Sequence, residues 1–180
     1  MNEHLLERHI SGEVVYSGKL LQVRRDKVGL PDGSEAVREF INHPGAVVIL
    51  ALLDNGKLLF ERQYRYPVSQ VVLELPAGKI DAGEDPLVTA RRELLEETGH
   101  AADDWNYLGL MHPGVGYSNE HIDIYLARKV RRVGPAQLDV GEFIELFELT
   151  PDEARNAVLQ GEITDVKTIT ALYWLQNLGS

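Results

Sequence analysis

Apolar and polar residues alternate from Glu13 to Asn42, in the stretches VVYSG, LLQVRRDKVGL and AVREFI, with turn chemistry at Ser17-Gly18 and Pro31-Asp32-Gly33 between them. A period of two marks half-buried strands, so this region predicts a small antiparallel sheet. His43-Pro44-Gly45 breaks the pattern, and a core domain is expected to begin near Gly45. The next apolar runs, AVVILALL and KLLFERQY, flank the turn Asp54-Asn55-Gly56 and predict a hairpin of well-buried strands. VVLELPA, WNYLGLM, HIDIYLARKV and EFIELFEL predict further strands.

Helix signals interrupt this series. Asp85 can act as an N-cap, Pro86 fits the first helical position where its missing N–H costs nothing, and Gly99 can supply a left-handed cap. These bounds predict a helix of about twelve residues, roughly three turns. Thr150-Pro151-Asp152-Glu153 gives a cap, a first-turn proline and a capping-box glutamate for a helix through Leu159, and a last helix covers about Val166 to Leu178. Strands mixed with helices predict an α/β protein, a sheet sandwiched between helices.

Composition narrows the class. A chain of 180 residues with 44% hydrophobic content can bury one main core with a small appendage. No apolar run approaches the roughly 18 residues of a membrane span, and MNEHLLERHI lacks the basic-then-apolar pattern of a secretory signal. A soluble cytoplasmic protein with no membrane partner is expected. The absence of cysteine excludes disulfides, thiolate metal sites and a cysteine nucleophile. His112 and His121 lack a convincing ligand partner, which sets aside a zinc site. A net charge of −10 argues against a nucleic-acid partner, and it would also repel a free diphosphate. A small anionic substrate would have to be captured locally, by metal and a few arginines.

The chemistry concentrates in Gly78 to His100, GKIDAGEDPLVTARRELLEETGH. At about 100° per residue, Glu93, Glu96 and Glu97 cluster on one side of the helix while Leu87, Ala90 and Leu94 form a neighbouring apolar stripe. Glutamates three and four apart repel by a few tenths of a kcal/mol, and carboxylates near a helix C-terminus oppose its dipole. A bound cation would reverse both penalties. On charge pattern alone, a solvated acidic face paired with Arg91 and Arg92 would suffice, but that alternative does not require Gly78 and Gly83 to frame the preceding loop. Magnesium suits hard carboxylate oxygens, retained waters and substrate phosphates.

Gly78, Glu84 and the run Arg92-Glu93-Leu94-Leu95-Glu96-Glu97-Thr98-Gly99, at their observed spacing, resemble the signature of the Nudix hydrolases, which cleave nucleoside diphosphates linked to another group. His100 departs from the aliphatic residue that usually closes the box. The resemblance covers roughly Gly45 to Leu178 and implies a Nudix-type α/β/α sandwich with a mixed sheet over residues 45–180. It also implies that two or three Mg2+ ions, with Mn2+ a possible substitute, are held by Glu93 and Glu97, with Glu96 and Glu84 supporting and the carbonyl of Ala77 a further ligand. Arg92 would orient a glutamate. Glu93 and Glu97 would thus serve catalysis, because metals acidify the attacking water and steady the leaving oxygen.

Outside the box, resemblance to the ADP-ribose branch implies a general base at Glu142, in Gly141-Glu142-Phe143-Ile144-Glu145, although an exposed acid at a strand start would look the same. Arg65, within Glu61-Arg62-Gln63-Tyr64-Arg65, would clamp a phosphate or the distal ribose, as forked guanidinium donors allow. Arg38 and Glu39 match positions that contact the nucleotide, with cross-strand charge pairing an equal alternative. Pro113-Gly114-Val115-Gly116-Tyr117-Ser118-Asn119-Glu120 resembles the loop that marks ADP-ribose hydrolases, but Val115 stands where the marker proline belongs. Glu120 in that loop is expected at the substrate or metal. Residues 1–44 resemble the family's dimerisation element, implying a homodimer with exchanged N-terminal strands. The expected activity is hydrolysis of ADP-ribose to AMP and ribose 5-phosphate. The alternatives are another nucleotide sugar such as a GDP- or ADP-hexose, clearance of oxidised nucleotides, or a non-catalytic ADP-ribose-binding module.

Overall fold

The computed structural model describes residues 2–178, which divide into two compact units. Among the described residues, one comprises 2–44 with Gly114–His121, the other Gly45–Pro113 with 122–178.

In the first unit β1 (Arg8–Ser17), β2 (Gln22–Gly29) and β3 (Glu35–Asn42) form an antiparallel sheet in chain order. The strand β1 starts five residues before the alternation that predicts it, where a register shift at His9/Ser11 breaks the period of two; a second shift lies at Val14/Tyr16. Every residue of β1 is exposed, whereas Val28 of β2 is buried. The segment 114–121 lies along the end of β3. There Ile41 N donates to Tyr117 O (2.8 Å) and His43 N to the Asn119 side chain (2.7 Å).

The second unit is built on β4 (Ala46–Leu53), β5 (Leu58–Arg65), β6 (Gln70–Glu74), β7 (Ala77–Lys79), β8 (His100–Met111), β9 (Ile122–Arg132) and β10 (Ile144–Leu149). Its main path runs β10-β5-β4-β9-β8, with β4 and β9 parallel and the other pairs antiparallel. VVLELPA, expected as one strand, is two. Here β4 and β5 are in register at Leu52↔Leu58 beside their turn, while farther along β6 pairs with β5 and β7 with β4. Pro76, which has no N–H to give a ladder, sits at the crossing, and its carbonyl accepts from Ile49 N (2.9 Å). That crossing sets Ala77 and Gly78 opposite Val48 and Val47, near the start of β4.

Successive residues of β4 serve opposite faces. Val47, Ile49 and Ala51 pack with Leu59, Ala127 and the Ala90–Leu94 stripe of α1 (Pro86–Thr98). Val48 and Leu50 pack with Phe60, Ile124 and Leu126, beneath α2 (Pro151–Leu159) and α3 (Val166–Gln176). Helices on both faces explain why β4 reads as an unbroken apolar run. This is the expected α/β/α sandwich with a mixed sheet, and the chain also has the expected N-terminal antiparallel sheet.

The caps follow the sequence. Leu87 N donates to the Asp85 side chain (2.9 Å), Gly99 ends α1 at φ 69°, and Thr150 with Glu153 closes the capping box of α2. Helix α1 has thirteen residues, and α3 stops at Gln176, two short of the prediction.

Candidate active site

The turn of α1 that buries Leu94 carries Glu93 and Glu97 toward β7. Glu97 is almost wholly buried, and its carboxylate accepts from Ala77 N at 3.1 Å. Glu93 lies over Gly78, where a Cβ would run into its carboxyl group, so the glycine is needed for a close approach.

Arg92 sits at the hub of the box. Its guanidinium reaches Glu84 (3.0 Å), Glu93 (2.8 Å), Glu96 (3.0 Å) and the carbonyl of Lys79 (3.3 Å). The bond from Arg92, and then one from Thr89, holds the Glu84 carboxyl down to about 2. Glu93 behaves oppositely, because burial raises its pKa despite Arg92. Burial raises Glu97 further, and the nearby charges of Glu61, Glu93 and Glu142 add to it. Arg92 thus neutralises the rim of the box and leaves its interior short of positive charge.

Glu142, on the loop before β10, is half-buried and accepts from the Gln63 side chain and from Asp139 N, both at 3.2 Å. Its charge also bears on Glu61, Glu93 and Glu97, which puts it in their electrostatic neighbourhood. Arg65 ends β5 with its Nε 2.7 Å from Glu74. Lys167 at the start of α3 binds the other Glu74 oxygen and also Asp165 (3.0 Å). The second unit therefore brings together Ala77, Glu93, Glu96, Glu97, Glu142 and Arg65.

The remaining candidates belong to the first unit. Arg38 pairs with Glu7 (2.5 Å) and Glu39 with Arg25 (2.8 Å) directly across the sheet. The cross-strand pairing considered for Arg38 and Glu39 is therefore present for Glu39. Arg38 and Glu39 line a groove of about 410 Å³ together with Val115 and Tyr117. Glu120 faces His43 at 3.8 Å.

Glu61 was not singled out by sequence. It is fully buried on β5, directly opposite Glu74, and neither of its oxygens has a hydrogen-bond partner among the described residues. Burial, then Glu74, raises its pKa. The available signal was an acid lodged between Phe60 and the polar end of a buried strand. Among the described residues no three acidic or histidine side chains already converge tightly enough to hold an ion. The donor set nonetheless fits a hard divalent cation: carboxylates only, partly without donors, packed beside a glycine that leaves them room.

A model of the NUDIX domain matches residues 42–172. The chain belongs to the Nudix family. Residues 7–41 match the nucleoside diphosphate sugar hydrolase N-terminal domain that accompanies it. The chain is 39% identical to a methanol dehydrogenase activator of Bacillus methanolicus, covering 94% of this chain and 92% of that one. It is 37% identical to an ADP-ribose pyrophosphatase of Bacillus subtilis, covering 96% and 94%. A crystal structure of an ADP compounds hydrolase superposes with a TM-score of 0.85 over 97% of this chain and 95% of that one, at 21% identity, which is a likeness of fold. The Nudix box maps onto β7 and α1.

Glu61, Glu93 and Glu97 hold protons more tightly in the folded chain than in the unfolded one. Above the ordinary glutamate value of 4.5, rising pH therefore strips from the unfolded chain protons that the fold retains, and stability falls. In chelator, the melting temperature is expected to drop between about pH 5 and about pH 8, and to drop less steeply in Glu97→Gln. Parallel curves for the two proteins would refute the buried state assigned to Glu97.

Proposed function

We propose that this Nudix-family chain hydrolyses the diphosphate of a nucleoside diphosphate linked to a sugar, with ADP-ribose the substrate and AMP and ribose 5-phosphate the products. The observation that carries this reading is the pair Glu93 and Glu97, partly and almost wholly buried beside Ala77 and Gly78, both with raised pKa values, Glu93 despite its bond to Arg92 and Glu97 without a cationic partner among the described residues. The Bacillus subtilis relative and the matching N-terminal domain favour a nucleotide sugar.

Divalent-cation dependence goes with the family; two or three Mg2+ ions, replaceable by Mn2+, are our assignment. Glu93 and Glu97, with Glu96 and the carbonyl of Ala77, would hold the cation, whose bound presence offsets diphosphate charge and acidifies water. Arg92 keeps Glu93 and Glu96 oriented. Glu142 takes the proton of the attacking water as its oxygen bonds to phosphorus and the bridging oxygen leaves. Arg65, held by Glu74, clamps phosphate or distal ribose. In the first unit, Arg38, Glu39 and Glu120 are assigned to the nucleoside and sugar. Val115, at the position of the marker proline and 81% exposed, favours a second substrate reading, a GDP- or ADP-hexose.

Residues 1–44 are assigned as the dimerisation element of a homodimer with exchanged N-terminal strands, and residues 45–180 as the catalytic domain. Exposed Ile10, Val14, Val15 and Tyr16 on β1 support this, since a strand exposed throughout in one copy gains most from a second. No helix among the described residues is long and apolar enough to cross a membrane. We assign the protein to the cytoplasm, in keeping with its lack of cysteine.

With Mg2+ and a panel of ADP-ribose, ADP-glucose, GDP-mannose and oxidised nucleoside triphosphates, kcat/KM should be highest for ADP-ribose, releasing AMP. Glu97→Gln should lower kcat at least about a hundredfold. Binding without turnover in the wild type would favour a sensing module instead. In Glu142→Gln the low-pH limb of the rate profile should disappear; an unchanged limb would remove Glu142 as base. Sedimentation at micromolar concentration should give twice the chain mass, and a monomer mass would reject the exchanged dimer.

A further inference from the structure

Among the described residues, Glu61 is a buried acid of this neighbourhood that no hydrogen-bond donor satisfies. Its exposure is 0%, and both carboxylate oxygens lack a hydrogen-bond partner among the described groups. Glu61 occupies the same face of β5 as Leu59, which packs in the layer beneath α1, and its neighbour across the ladder is Glu74.

The charges of Lys167 and Arg65 favour ionised Glu61 from a distance, but neither cation bonds to it. Arg65 gives its Nε to Glu74, and Lys167 binds Glu74 and Asp165. What bears on Glu61 from the other sides is negative charge, from Glu142 and from Glu97, whose own carboxyl the Glu61 charge perturbs. A carboxylate sealed from water without donors is costly. Its fit is to a ligand that brings positive charge to the Glu97 side of β5.

We propose that Glu61 is a further carboxylate of the divalent-cation site, lying outside the box and serving the ion from the sheet side, opposite the helix-borne Glu97. The assignment rests on the cation-binding reading of Glu93 and Glu97. It adds a strand residue to a ligand set otherwise drawn from β7 and α1, and it makes β5 a wall of the cation site as well as the strand that ends in Arg65.

The test uses Mn2+ as probe on the full-length chain stripped with chelator, with binding followed by calorimetry and by the paramagnetic signal of free Mn2+. Glu61→Gln should weaken Mn2+ binding by about tenfold or more. It should leave the metal-free melting temperature equal to or above that of the wild type, because an unpartnered acid has gone, and it should shrink the rise that Mn2+ produces. Unchanged Mn2+ affinity in Glu61→Gln beside weakened affinity in Glu97→Gln would overturn the role of Glu61 and leave the box reading intact. No Mn2+ binding by the wild type would overturn both. Should Glu61→Gln not fold, wild-type crystals soaked in Mn2+ decide the matter. An anomalous peak within bonding reach of Glu61, or of a water bound to it, supports the proposal, and peaks confined to the α1 glutamates refute it.

Discussion

Packing of Leu94 and Ala90 against the central sheet fixes the rotation of α1, and that rotation leaves Glu93 and Glu97 no choice but to turn inward with them. Apolar burial of this kind stabilises by roughly 25 cal/mol per Å² and is available whether or not a ligand is present. It therefore acts as the force that holds carboxylates where solvent alone would not keep them. The glycine at 78 is the counterpart on the strand, since the space above its backbone is taken by the Glu93 carboxyl group.

The molecule offsets this crowding unevenly. Arg92 gathers Glu84, Glu93 and Glu96, and the two cations at Glu74 stabilise a second acid nearby. Glu97 receives one backbone donor and Glu61 receives none. Charge is thus balanced at the periphery and left unbalanced in the middle, a distribution suited to a site that completes itself with a cation rather than with its own side chains.

The box helix, its caps and its two faces were legible in sequence because they depend on local rules: Asp85 and Gly99 act within a few residues of themselves, and a period of 3.6 needs no tertiary information. The layers were legible too, since AVVILALL can be apolar throughout only where both faces are covered. Other features depend on register, which a single chain does not display. VVLELPA splits because β4 and β5 part after Leu52↔Leu58, and the early start of β1 hides behind the register shift at His9/Ser11. Glu61 was illegible for the same reason: its significance comes from Glu74 lying opposite and Glu97 lying near, both set by strand and helix placement. The box positions of Glu93 and Glu97 could be read from spacing, whereas the donors that distinguish Glu93 from Glu97 could not.

The parallel pairing of β4 with β9 sets the order of events when this protein is made. Antiparallel partners can zip up through a turn, but β4 gains its central neighbour only after the whole stretch carrying β5 to β8 has been synthesised. Until then Val47 to Leu50, the most water-averse segment of the chain, waits without one of its walls. The early chain is consequently the stage most exposed to self-association, and the ribosome-bound half-chain is where a chaperone would have most to shield.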